Sequence, residues 1–333
     1  MKDLIFNIQL FGENLNTTGD SALSPEMKTF YDKTLITLAS PYLVHDQFGQ
    51  KRDIPKNGGK IIEFRRFSGL PKALTPLVEG VTPQGEKLDV STVTATVEQY
   101  GDYIEQTDLL ELTAVDNTIV EATKQLAAQA GLTMDTIVRN ELCGGTNVLY
   151  APRRGSASYI TVNSRDDLDN ACGLRVKDVF MAAAALKNMN APKIDGYYVG
   201  IIHPFVAYDL MMEAGNQWME VQKYTTPENM LKGEIGCLGG VRFVESSEAK
   251  IWINSKEIGV FATLILGADA YGVTSVEGGG IEHIVKQKGY GNDPLNQRSS
   301  VGWKGLKTAK RLVEEYIVRI ESGSSLGDLV EAN

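Results

Sequence analysis

The sequence predicts an α+β fold, in which helices and strands are mixed without a regular β-α-β alternation. Three observations lead to this prediction. Residues 92–98 alternate between valine or alanine and threonine or glutamate, the period of a strand with one polar face. Residues 118–143 carry apolar side chains at helical spacing and are followed by a pair of glycines. The apolar run at 196–203 is typical of a buried strand.

The chain opens with a polar, Asn/Thr/Gly-rich stretch over residues 1–23, which we interpret as an arm. Ser24 as N-cap and Pro25 in the first turn then predict a helix, which Pro41 ends. Its apolar face comprises Met27, Phe30, Tyr31, Leu35 and Leu38. An amphipathic helix behind a polar arm needs a surface to cover, on this molecule or on a neighbour.

A long hairpin is predicted next. Residues 58–67 indicate one strand, residues 90–105 indicate the other, and the connection at 68–89 is interrupted by Pro76, Gly80, Pro83 and Gly85. A structureless loop of about 20 residues is unusual inside a compact domain. A two-stranded hairpin is also only marginally stable alone in water. We therefore expect this element to leave the body of the protein and to find its partner elsewhere.

The rest of the chain alternates between helices and strands. The helix at 118–143 has a length of about 39 Å at 1.5 Å per residue. Gly131 in its middle predicts a bend or a close contact, because glycine weakens a helix by about 1 kcal/mol relative to alanine. Further helices are predicted at 108–112, 176–188 and 205–213, and strands at 196–203, 239–245, 250–254, 261–266, 299–310 and 311–322.

Composition excludes several classes of protein. The 333 residues include 33 Lys and Arg against 42 Asp and Glu, a net charge of −9, which disfavours a sequence-specific nucleic-acid binder. Three cysteines without a CxxC motif cannot form a disulfide scaffold and suit a reducing compartment. The N-terminus is a poor signal peptide, and no apolar run approaches the roughly 20 residues of a membrane span. We expect a soluble protein that is not secreted.

The sequence offers no convincing catalytic, cofactor or metal site. Neither GxxxxGK nor a helix-opening GxGxxG is present. Residues 323–327 (GSSLG) fit GxSxG formally, but no histidine follows His283, as a hydrolase triad would require. The acidic run at 166–169 resembles the start of a calcium loop, yet Ala171 occupies the next ligand position. We interpret that run as a capping or solvated turn, and the three dispersed histidines as structural or surface residues.

Five stretches, in order, carry a resemblance to a known family. They are FNIQLFGEN, PLVEGVTPQGEKLDVSTVTATVEQYGDYIEQTD, GIIHPFVAYDL, GCLGGVRFVES and DPLNQRSSVGWKGLKTAKRL. Together with the order of the elements, they resemble the major capsid protein of tailed bacteriophages, with its Hong Kong ninety-seven-like shell fold, and especially the coat proteins of N-four-like phages. The resemblance implies an N-terminal arm and helix (1–45), an extended hairpin loop (46–105), a peripheral domain (106–162 and 286–333) and an axial domain (163–285).

The resemblance also implies a function. A major capsid protein assembles into pentamers and hexamers, which form an icosahedral shell around the double-stranded DNA genome. The implied partners are copies of the chain itself, a portal protein, and scaffold or decoration proteins. DNA is enclosed without sequence-specific binding, and no membrane, cofactor or catalytic residue is implied. The protein is expected in the virion after assembly in the host cytoplasm. Some relatives form lysine–asparagine crosslinks, but nothing in this sequence identifies such a pair.

Two groups of residues are candidates for roles in assembly. Apolar side chains on the arm, its helix and the hairpin tip, together with one basic pair on the hairpin, are candidates for subunit interfaces: Phe11, Phe30, Tyr31, Leu77, Val78, Val81, Arg65 and Arg66. For the basic pair, contact with carboxylates is the first interpretation and contact with nucleic acid the alternative. Glycines that allow packing in rings of five and six are hinge candidates: Gly131, Gly278, Gly279 and Gly280.

Three other functions stay open at this point. An encapsulin-like bacterial compartment shell would enclose a cargo enzyme instead of DNA. An enzyme with an unrecognised carboxylate site would be a compact monomer. A tail or decoration protein of a phage would be dominated by β-structure and would lack the long helix.

Overall fold

The structure is a computed structural model. It describes residues 43–55, 58–67, 70, 72–76, 79–80, 82, 85–113, 118–155, 158–220, 230–231, 233–274, 280–289 and 293–333.

The described residues contain four α-helices and sixteen strands. The helices are α1 (Asp108–Thr113), α2 (Thr118–Cys143), α3 (Val176–Asn188) and α4 (Pro204–Ala214). The strands are β1 (Gln50–Lys51), β2 (Ile61–Phe67), β3 (Val90–Thr96), β4 (Glu98–Thr107), β5 (Val148–Tyr150), β6 (Arg153–Arg154), β7 (Tyr159–Ile160), β8 (Tyr198–Ile202), β9 (Glu234–Leu238), β10 (Val241–Glu245), β11 (Ile251–Ile253), β12 (Gly259–Leu266), β13 (Tyr271–Thr274), β14 (Glu282–Lys286), β15 (Arg298–Arg311) and β16 (Ile317–Ser322).

A seven-stranded mixed sheet in the order β5-β16-β12-β8-β10-β9, with β11 on β12, forms the largest layer. Alternate residues of its central strands point to opposite faces, so each strand contributes to two cores. Tyr198 and Ile202 of β8 pack with α3 and α4 on one face. Val199 and Ile201 pack with the C-terminal half of α2 on the other. Both faces of this sheet are therefore covered, which explains its continuous apolar strands.

A second sheet has the order β1-β13-β15-β14, and β4 also pairs with β15. Two glycines allow β4 and β15 to approach closely. A Cβ on Gly101 would lie 2.5 Å from the carbonyl oxygen of Trp303, and a Cβ on Gly302 would lie 2.7 Å from the Cβ of Tyr103. Side chains at these two positions would therefore push the strands apart.

The chain divides into two compact units. In its described part, one unit comprises 101–130 and 281–305, and the other comprises 43–100, 131–280 and 306–333. A glycine lies at each of the four described points at which the chain passes from one unit to the other: Gly101, Gly131, Gly280 and Gly305.

The α+β prediction is confirmed, and α2 and α3 have the predicted bounds. The prediction of one continuous strand after the loop is wrong. The chain leaves the strand conformation at Val97, so that β3 pairs with β2 whereas β4 pairs with β15. Val97 is buried, and its N–H donates to the carbonyl of Lys60. Across the described residues, no helix is both long and apolar enough to cross a membrane.

Candidate self-assembly surfaces

The predicted hairpin is present as a two-stranded antiparallel ribbon of β2 and β3. The pairing runs without interruption from Ile61 opposite Thr96 to Phe67 opposite Val90. Neither strand pairs with a further strand in the described part of the chain. The backbone groups on both outer edges are thus available to a partner.

The connection between β2 and β3 exposes apolar side chains. Its described residues form neither helix nor strand, and all of them are exposed. Leu74 is 81% exposed, and Leu70 and Leu88 are each more than half exposed. Ile61 and Val90, at the two ends of the ribbon, are exposed as well. Exposed apolar side chains on an element with so little packing of its own make it a candidate interaction surface.

One aromatic side chain in the middle of β2 packs the hairpin against β13. Phe64 of β2 is 3% exposed, and its ring lies over Gly272 of β13. A Cβ on that glycine would lie 2.5 Å from Cε1 of the ring, so only glycine makes room for the aromatic group. Sequence reasoning missed this contact, although the signal exists: Phe64 is an aromatic residue between charged neighbours in IIEFRRF.

Arg65 and Arg66, the basic pair predicted at an interface, are both exposed on β2. Arg66 Nη1 lies 3.8 Å from Glu315 Oε2, and both side chains are about half exposed. A solvent-exposed pair of this kind contributes between about 0 and 1 kcal/mol. Within the chain, Arg66 therefore lies near a carboxylate, in agreement with the first interpretation of the basic pair. An intersubunit role for either arginine stays a prediction.

The remaining interface candidates, Phe11, Phe30, Tyr31, Leu77, Val78 and Val81, lie outside the described residues, as do the hinge candidates Gly278 and Gly279.

A buried pair holds the first described segment in place. Asp135 of α2 accepts hydrogen bonds from the backbone N–H of His45 (2.7 Å) and from its Nδ1 (2.6 Å). Both side chains are fully buried, and the hydroxyl of Tyr271 donates to the carbonyl of His45. These contacts fix the position of His45 against α2 and β13.

A second buried network, which sequence reasoning missed, stabilises the C-terminus of α2. Arg319 donates to the carbonyl of Cys143, the last residue of α2, and to that of Gly145 just beyond it. The last carbonyls of a helix have no partner within the helix. Glu321, fully buried, accepts from both Arg319 (2.9 Å) and Arg165 (2.6 Å and 2.8 Å). The signal was the pair of charged residues two apart in the apolar strand IVRIES, which places them on one face.

The GSSLG segment has a structural role. The hydroxyls of Ser324 and Ser325 donate to the carboxylate of Asp209 at 2.7 Å and 2.6 Å. The two outer glycines are explained by close packing: a Cβ on Gly323 would lie 2.2 Å from the carbonyl oxygen of Asp169, and one on Gly327 would lie 2.5 Å from a side-chain oxygen of Asn170.

The acidic run predicted as a turn makes separate contacts. Asp167 accepts from the Ser164 hydroxyl, Asp166 from the N–H of Ser255, and Asp169 pairs with Arg153 at 2.9 Å. Among the described residues, no group of three His, Cys, Asp or Glu side chains is placed to hold a metal ion.

The buried thiols are poor nucleophiles. Burial raises the pKa of Cys143 to about 11 and that of Cys172 to about 11, so both are protonated near neutral pH.

A sequence profile described as "Phage capsid protein" matches residues 47–294, about three quarters of the chain. The chain belongs to the phage capsid protein family. The profile match includes the hairpin, α2 and every strand of the seven-stranded sheet except β16. This capsid protein is therefore a structural protein of the virion. The compartment-shell, enzyme and tail-protein alternatives are not favoured.

Solved structures show the same fold. The capsid of Ralstonia phage GP4 is similar with a TM-score of 0.63 at 16% identity, over 84% of this chain and 88% of that one. The capsid of cyanophage P-SCSP1u has a TM-score of 0.59 at 14% identity, over 85% and 89%. The capsid asymmetric unit of cyanophage Pam1 has a TM-score of 0.59 at 14% identity, over 87% and 93%. Among curated proteins, none matches the chain.

Proposed function

We propose that copies of this capsid protein assemble into pentamers and hexamers that close as an icosahedral shell around double-stranded DNA. The proposal rests on the hairpin, a two-stranded ribbon whose connection exposes the apolar side chains of its described residues. Ring contacts are head-to-tail, so one copy must offer an element that fits a different surface of the next. We assign that role to the hairpin, with Leu77, Val78 and Val81 as its anchors beside Leu74.

Burial of the apolar surface of the hairpin would stabilise such a contact. Burying roughly 400 Å² of apolar surface per hairpin, at about 25 cal/mol per Å², contributes about 10 kcal/mol before the costs of ordering. Every copy both donates and receives one hairpin, so the contact is repeated around each ring.

The glycines at the crossings support the hinge proposal. Gly131 and Gly280, two of the four hinge candidates, each lie at a crossing between the compact units. Freedom of the backbone at those positions would let one chain adopt the slightly different shapes that rings of five and six require. We propose, as domains, the arm at 1–45, the hairpin loop at 46–105, the peripheral domain at 106–162 and 286–333, and the axial domain at 163–285.

The remaining partners are also proposals. The net charge of −9 supports an inner wall that encloses DNA without tight or sequence-specific binding, because a strongly basic wall would oppose packaging and release. Portal, scaffold and decoration proteins complete the proposed set of partners. Assembly is proposed to take place in the host cytoplasm, without enzymatic activity of the capsid protein itself.

Replacing residues 70–88 by a short turn tests this function. The truncated chain is expected to fold, because the apolar side chains it loses in the described part are exposed ones. It is expected not to assemble, as measured by sedimentation and electron microscopy of expressed protein. Particles of normal size from the truncated chain would overturn the role of the hairpin. Particles of the parent chain that enclose a protein cargo instead of DNA would overturn the proposed contents.

A further inference from the structure

The two helices α3 and α4, on one face of the seven-stranded sheet, bury one side each. Val179, Ala182 and Leu186 of α3, and Val206 and Leu210 of α4, are completely buried against the sheet. For a helix in contact with water, the opposite side is expected to carry polar or charged side chains.

The opposite sides are instead largely apolar. Phe180 and Met181 of α3, and Tyr208, Met211 and Met212 of α4, are between 36% and 68% exposed. The three residues of α4 follow the i, i+3, i+4 spacing, so they lie on one side of the helix. We call these five residues the methionine patch.

The end of α4 and the start of α3 lie next to each other. The carboxylate of Glu213, the residue after Met212, accepts a hydrogen bond from the backbone N–H of Val176 at the start of α3. Phe180 lies one turn further along α3, on the same side as Val176. Lys177 and Lys187 are exposed on the same side of α3, so charged groups border an apolar centre. An apolar centre with a charged rim is the usual composition of a protein interface.

The area of the patch suits a protein partner. With about 200 Å² for a large side chain, five half-exposed side chains present roughly 500 Å². That value is near the upper end for the largest apolar patch of a monomer, about 300–600 Å². It is more than half of the roughly 800 Å² that each partner contributes to a stable interface.

We propose that the methionine patch is a contact between neighbouring copies of this chain in the rings, and that its methionines let one surface serve rings of both sizes. This inference rests on the proposed assembly into pentamers and hexamers. The angle between neighbours differs between the two rings, so the same residues must pack in two geometries. Methionine is unbranched and has three rotatable bonds, which lets it fill differently shaped gaps. A partner that binds in one geometry has no need of such side chains.

The test compares two lysine substitutions. M212K places a charge in the patch, whereas M189K places one at the C-cap of α3, where Met189 is 49% exposed and about 12 Å along the helix axis from Met181. Both sites are exposed, so both variants are expected to fold, as checked by the Tm of unassembled protein. M212K is expected to raise the concentration needed for assembly by roughly tenfold or more. M189K is expected to leave it unchanged. Shells from M212K at the parent concentration would overturn the inference.

A second variant tests adaptability separately from area. Met211→Ile combined with Met212→Ile keeps the apolar surface but restricts its side-chain conformations. We expect rings to form at the parent concentration, with at least a tenfold lower yield of closed shells by electron microscopy. A parent-like yield of shells would overturn the role of the methionines. If the parent chain itself gives no particles, the proposed function fails, whereas the results above concern the patch alone.

Discussion

Lowering the pH from 7.5 to 5 is expected to destabilise the folded chain by about 2 kcal/mol through His203 alone. This residue is the N-cap of α4: its Nδ1 accepts the backbone N–H of Phe205 at 3.2 Å. The ring is 7% exposed and lies between Phe205 and Phe261, with ring centroids 5.1 Å and 4.8 Å away. Burial lowers the pKa of His203 from its ordinary value of 6.5 to about 4.

The sign follows from where the proton binds. The unfolded chain takes up this proton below pH 6.5, and the folded chain only below about 4. The stability contributed by neutral His203 is therefore fully present above pH 6.5, falls as the pH decreases, and levels off below pH 4. At about 1.4 kcal/mol per pH unit, the complete loss is about 3 kcal/mol, of which about 2 kcal/mol has occurred at pH 5. Protonation of Nδ1 also removes the acceptor that caps the helix.

His203→Asn is the matched variant, because asparagine is a preferred N-cap and does not titrate. Chemical unfolding of unassembled protein at pH 7.5 and at pH 5 gives the stability of each form. All other titrating groups are common to both proteins, so the difference between their pH dependences isolates His203. The parent is expected to lose about 2 kcal/mol more than the variant. Equal losses in the two proteins would refute the assignment of a neutral, buried histidine.

Three further outcomes are expected. Leu74→Asp is expected to raise the concentration needed for assembly by more than tenfold without changing the Tm of unassembled protein. The control Leu74→Met is expected to assemble as the parent does. Equal assembly of the two variants would contradict the docking of the hairpin. Gly272→Ala is expected to lower the free energy of unfolding by about 1–3 kcal/mol, because the new Cβ overlaps the Phe64 ring. Adding Phe64→Leu is expected to restore part of that loss. Additive effects of the two substitutions would argue against the contact. Glu321→Gln is expected to lower the free energy of unfolding by about 3–5 kcal/mol, because it leaves two arginines without their buried carboxylate. The control Glu121→Gln, on the exposed side of α2, is expected to lower it by less than about 0.5 kcal/mol. Similar losses at the two sites would show that the Glu321 network contributes little.

Sequence periodicity predicted best the elements whose type and ends are specified by residues of the same segment. The helices at 118–143 and 176–188 have the predicted bounds, because a glycine pair stops the first and the second is rich in alanine, a strong helix former. The alternation correctly indicated a strand as far as Thr96, where β3 ends. The family resemblance rested on the order of five stretches and was confirmed by the profile match.

Tertiary contacts decided the features that local pattern could not. The chain between 90 and 107 has one strand-like pattern, yet it divides at Val97 because β15 offers a second pairing partner to the distal part. Gly272 admits Phe64, more than 200 residues away in sequence. Composition and periodicity predicted that this chain has helices, strands and a hairpin between residues 58 and 96, and the structure contains all three. Only the folded arrangement decided which apolar surfaces stay in water, because exposure depends on packing between segments that are distant in the sequence.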